Sequence, residues 1–87
     1  MDEGTWLTYS EPIREELERA LGRYPDFHSM HEGYAVLLEE VHELWDQVRK
    51  PQEHPTRKPM AREECVQIAA MAIRFVMACC DRKCADE

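Results

Sequence analysis

Met60 to Met77 reads MAREECVQIAAMAIRFVM, and its reading decides the fold. Drawn as a helix, it has Val66, Ile68, Ala69, Met71, Ala72, Ile73, Phe75, Val76 and Met77 pointing in nearly all directions around the axis. Only a narrow strip through Glu63, Gln67, Ala70 and Arg74 reads as wet. A helix apolar nearly all round is buried on most sides. The rest of an 87-residue chain can hardly cover it, because small domains bury a small fraction of their surface. The expectation is a helix over about 60–81 whose copies meet across a subunit interface, in a homodimer or homotetramer.

Working outward, KPQEHPTRKP (Lys50–Pro59) is polar with three prolines and reads as a surface loop over 50–59. Before it, Ser29 and Glu32 form an S-x-x-E capping box, each side chain satisfying the other's free backbone N–H. That box opens a helix over about 30–49, which Pro51 terminates. A first helix over about 11–22 is capped by Ser10, with Glu11 and Pro12 in its first turn, where proline is tolerated. Ile13, Leu17, Ala20 and Leu21 recur at helical spacing along it, Arg14, Glu15, Glu18 and Arg19 form its solvated face, and Gly22 and Pro25 end it. No stretch reads as a strand. The predicted fold is all-α: one domain over 1–87, a three-helix protomer with antiparallel second and third helices, completed as a bundle by oligomerisation.

Eighteen Asp and Glu against eleven Lys and Arg give a net charge of −7. That balance argues against nucleic acid as a partner, since phosphate backbones are gripped by clustered cations. It leaves room for a phosphate ligand carried in by divalent metal. The start, MDEGTWLTYS, lacks the basic-then-apolar order of a signal peptide. The longest apolar run, Ile68–Cys80, is interrupted by Arg74 and is too short to span a membrane. Cys65, Cys79, Cys80 and Cys84 read as reduced thiols of a cytoplasmic protein, adjacent Cys79 and Cys80 being an awkward start for a disulfide framework.

The acids of LLEEVHELWD (Leu37–Asp46) divide by position. Tyr34, Leu37, Val41, Leu44 and Val48 form one apolar stripe, with Glu40 at its edge and Glu43 about 60° from Glu40. Glu39, His42 and Asp46 turn further away and read as solvated. On the third helix Glu64, Ile68, Met71 and Phe75 share one line, with Gln67 on its flank. Packed antiparallel, the two helices bring Glu40 and Glu43 opposite Glu64 and Gln67. Converging carboxylates need a proton or a cation, and oxygen ligands alone suit magnesium or manganese. The bland alternative is ordinary surface charge, because E-x-x-E is common on amphipathic helices.

EVHEL (Glu40–Leu44), then ECVQ (Glu64–Gln67) opening a long apolar helix, resembles the MazG-like all-α nucleoside triphosphate pyrophosphohydrolases, whose signature is E-x-x-E on one helix and E-x-x-D on the next. The resemblance spans His31 to Phe75, about half the chain, and is nearest to the small single-domain bacterial and phage members. It implies Mg²⁺ (or Mn²⁺) held by Glu40, Glu43, Glu64 and the Gln67 position, a nucleoside triphosphate substrate, and cleavage between the α and β phosphates to a monophosphate and pyrophosphate. Glu39 is the carboxylate assigned to orient the attacking water. Gln67 departs from the family's acid: its carbonyl oxygen still offers a ligand, but one negative charge is lost. The competing expectation is therefore a non-catalytic helical oligomer that binds nucleotides or other proteins.

Arg57, Lys58 and Arg62 form a basic cluster at the start of the third helix, read either as linker charge or as contacts to the triphosphate aided by the helix N-terminus. Zinc is set lower, since no C-x-x-C pair exists. Trp6 and Tyr9 read as a lid or anchor preceding the first helix, and Trp45 as packed between helices.

Overall fold

The computed structural model describes residues 1–82, so Cys84 lies outside the described residues. These residues form three α-helices and no strand: α1 (Glu3–Arg23), α2 (Met30–Val48) and α3 (Arg57–Phe75), with α3 running on into a π-helical segment, Val76–Asp81. No described helix is long and apolar enough to cross a membrane.

Helix α1 begins a full two turns earlier than its sequence suggests. Asp2, not Ser10, is the cap, its carboxylate accepting the Thr5 N–H at 2.7 Å. Trp6 and Tyr9 are therefore helical and exposed rather than a segment before the helix. Pro12 sits inside the helix, where it deprives the Thr8 carbonyl of its partner. Both residues are exposed, so that carbonyl is open to solvent rather than buried unpaired, and the helix continues. The inward line is the expected one, with Ala20 buried and Ile13 and Leu17 packed on the core.

Helix α2 starts where the capping motif places it. Ser29 Oγ accepts the Glu32 N–H at 3.0 Å, but the Glu32 carboxylate takes the N–H of His28, one residue before the cap, at 2.8 Å. Helix α3 starts three residues before the expected Met60. Pro59 falls in the first turn, where its missing N–H would have had no helical partner anyway. The Arg57 side chain donates to the Val48 carbonyl from Nη2 at 2.9 Å and from Nε at 3.3 Å, tying the start of α3 to the end of α2.

Helix α3 packs against both α1 and α2, and the core is the small junction of Ala20, Ala70 and Met71 with Val36 and Leu37 against it. At the far end, a Cβ added to Gly33 would lie 2.6 Å from Phe75 Cδ2 and 3.1 Å from Phe27 Cδ2. Glycine there is what lets the end of α3 close onto the start of α2.

Two faces differ from expectation. Of the strip expected to be wet on α3, only Glu63 is exposed: Gln67 is half-buried, Ala70 is 0% exposed and Arg74 5%, while Ile73 and Val76 face outward. Alanine at position 70 allows close approach, and Arg74 lays its guanidinium on the Phe27 ring, 4.1 Å from the centroid. On α2 the buried positions are Gly33 and Gln47, with Leu37, Glu40 and Leu44 partly buried between them. The packed face is thus rotated toward Glu40, which leaves Tyr34, Val41 and Val48 of the apolar stripe exposed. Trp45 stands beside them, 58% exposed, and does not pack between helices of this chain.

Candidate metal centre

Glu40 and Glu43 come from consecutive turns of α2, and Glu64 from the second turn of α3. One carboxylate oxygen of each lies within 4.8 Å of the other two. Among the described residues Glu40 Oε2 and Glu64 Oε2 are sealed from solvent and have no hydrogen-bond partner. Ionised, all three groups are acceptors with no donor among them, so a proton or a cation would relieve their repulsion. Burial, then the Glu43 charge, then the Glu64 charge push the Glu40 carboxyl up to about 7. Glu64 is raised as well, first by burial and then by the Glu43 carboxyl beside it.

The donor set fits a hard divalent cation. Oxygens held about 2.1 Å from one Mg²⁺ stand at most about 4.2 Å apart across it, and the trio's oxygens lie within 4.8 Å of one another. Two orphaned acceptors and three negative charges at one point are what such an ion would satisfy.

The remaining sequence candidates divide around this centre. Gln67 lies one turn beyond Glu64 and, with Glu40, lines a cleft of about 510 Å³. Glu39 is exposed one turn before Glu43, outside the trio. Arg57 is occupied with the Val48 carbonyl. Arg62 lines a separate shallow pocket with Tyr9, Ile13, Cys65 and Val66. Lys58 is exposed. Cys65, Cys79 and Cys80 form no disulfide among the described residues, Cys79 Sγ donating instead to the Ser29 carbonyl, and none belongs to a metal-like cluster among those residues.

Sequence reading missed the other walls of the cleft: Arg19 and Arg23 of α1, Tyr24 and Phe27 of the following loop, and Arg74. Arg74 carried a usable signal, a lone cation on an otherwise apolar helix. The loop carried none, because its place beside α3 is set by contacts 49 residues apart, such as Arg74 Nη2 to the Pro25 carbonyl at 2.6 Å.

Comparison of the chain with family models, curated proteins and solved structures gives no match.

Proposed function

We propose that this chain is a divalent-cation-dependent nucleoside triphosphate pyrophosphohydrolase, cleaving between the α and β phosphates to release a monophosphate and pyrophosphate. The observation that carries the reading is the meeting of Glu40, Glu43 and Glu64 within 4.8 Å beside a cleft of ligand size. The same three residues carry the MazG-like resemblance. Bound there, Mg²⁺ or Mn²⁺ would neutralise charge on the phosphate oxygens and lower the pKa of a bound water. The chain's own part is to supply the carboxylates from two helices held in register by Arg57 at one end and Gly33 at the other. Those contacts at opposite ends support α2 and α3 running antiparallel. Glu39, one turn before Glu43, is the carboxylate assigned to orient water.

The assembly is a homodimer or homotetramer in this reading, supported by the apolar residues one protomer leaves outside: Tyr34, Val41, Trp45 and Val48 on α2, Ile73 on α3 and Val76 just beyond. The absence of a disulfide among the described cysteines suits a cytoplasmic setting. One observation favours a second reading, a non-catalytic nucleotide-binding or protein-interaction module: the cleft residue next to the trio is the neutral Gln67.

Pyrophosphate release from a panel of ribo- and deoxyribonucleoside triphosphates, with Mg²⁺ or Mn²⁺, tests the proposal. Metal-dependent release abolished by Glu40→Gln supports it. No release from folded protein that binds the metal selects the second reading.

A further inference from the structure

Arg74 is a buried cation that the carboxylate trio does not use. Its Nη2 donates to the Pro25 carbonyl and its Nη1 to Met71 Sδ at 3.6 Å. Its Nε is sealed from solvent and has no partner. Among the described residues no carboxylate forms an ion pair with it. A guanidinium stays charged, and desolvating one without a counter-charge is costly. The Phe27 ring face recovers only part of that cost.

The acids that share the cleft are committed elsewhere. Glu16 is paired with Arg19, Glu32 accepts the His28 N–H, and Glu40 belongs to the trio. Arg23, exposed on the same wall, has no ion pair among the described residues and shares the Tyr24 ring with Arg74, the two standing 5.9 Å and 5.8 Å from its centroid. Two cations without counter-charges therefore border a cavity far larger than an ion needs.

We infer that the cleft binds a phosphate-bearing small molecule, with Arg74 and Arg23 taking its phosphate oxygens. Arginine suits this role because its planar fork matches phosphate oxygens in charge and geometry. That the ligand is the substrate itself rests on the hydrolase reading. Arg74 follows Gln67 by two helical turns, roughly 10 Å along the axis, and its side chain leans back to Met71, shortening the gap to the trio. A triphosphate held near the carboxylates through a bound cation would then lay its leaving pyrophosphate against the arginines.

The test uses inorganic pyrophosphate as probe, with chelator present so that the trio holds no metal. The Arg74 Nε–H resonance is followed by NMR during the titration, with acetate and sulfate as controls. The expected result is a saturable shift of that resonance, stronger for pyrophosphate than for either control. Arg74→Lys, which keeps the charge but loses the fork, weakens binding about tenfold, and Arg23→Gln weakens it about threefold. A silent Arg74 resonance at millimolar pyrophosphate, or an equal response to all three anions, overturns the inference. Wild-type protein decides the matter even where Arg74→Lys fails to fold. Mn²⁺ binding at the trio is measured separately. Metal binding with a silent Arg74 removes this inference and spares the hydrolase reading; a shifted Arg74 without metal binding does the reverse.

Discussion

Replacing Glu40 by glutamine is expected to stabilise the metal-free protein at alkaline pH while removing its response to Mg²⁺. The Glu40 carboxyl is raised from 4.5 to about 7 in the folded chain. A group whose folded pKa exceeds its unfolded value contributes stability that is fully present below the unfolded value. That contribution is lost as pH rises through the folded one. Metal-free wild-type protein should therefore weaken between about pH 5 and about pH 8. At ~1.4 kcal/mol per pH unit the rise sets a ceiling of about 3 kcal/mol. Glu40 is only partly buried, and solvent screening reduces the expected loss to about 1–2 kcal/mol. Glutamine cannot ionise, and its amide can donate to Glu43 and Glu64. At about pH 8 in chelator the variant should thus exceed wild type by a similar ~1–2 kcal/mol, a rise in Tm of roughly 4–8 °C per kcal/mol for a domain this small. Saturating Mg²⁺ reverses the order. Wild type gains about 2.7 kcal/mol at a hundredfold excess over Kd, and the variant gains little. Thermal denaturation followed by far-ultraviolet circular dichroism, at fixed protein concentration, reads all four conditions. A wild-type Tm that is flat with pH in chelator, or a variant less stable than wild type there, would refute this account of the trio.

Three further outcomes are expected. Gly33→Ala should destabilise by about 1–2 kcal/mol in urea melts despite alanine's better helix propensity, because its Cβ would meet Phe75 at 2.6 Å, and Phe75→Leu should relieve most of the loss. Gln67→Asp should tighten Mn²⁺ binding by roughly tenfold in calorimetry and lower stability in chelator, since a further charge would join an already crowded site; unchanged affinity would remove Gln67 from the metal's surroundings. The proposed homo-oligomer predicts that Val41→Glu combined with Trp45→Glu shifts the sedimenting species to monomer; a mass unchanged by the pair would refute an interface through α2.

Helix identity was largely legible in the chain and helix faces less so. The capping motif at Ser29 marked the start of α2 to the residue, because a cap is a local bargain among three or four neighbours. The start of α1 was misread because Ser10 and Pro12 resemble a cap and first turn, while the operative cap, Asp2, precedes a stretch without apolar periodicity. Faces depend on what lies opposite. Hydrophobicity alone placed Val41 inward and Arg74 outward, and the structure has each the other way round. Convergence of Glu40, Glu43 and Glu64 could be foreseen, since spacing along two neighbouring helices suffices to bring them together. The cleft beside them could not, because its arginines and aromatic residues come from α1, a loop and the far end of α3.

The central position of α3 bears on how the chain is made. Helices α1 and α2 each pack on α3 and scarcely on one another, and the buried junction draws Ala70 and Met71 from α3. A ribosome delivers α1 and α2 first. Until α3 emerges, the two have little to bury against, and most of a protein helix's stability comes from packing its amphipathic face. The nascent chain thus has no stable halfway house: tertiary structure, the carboxylate trio and the arginine-walled cleft all form in one late step. Stalling translation before residue 70 should leave a protease-sensitive chain that binds no metal.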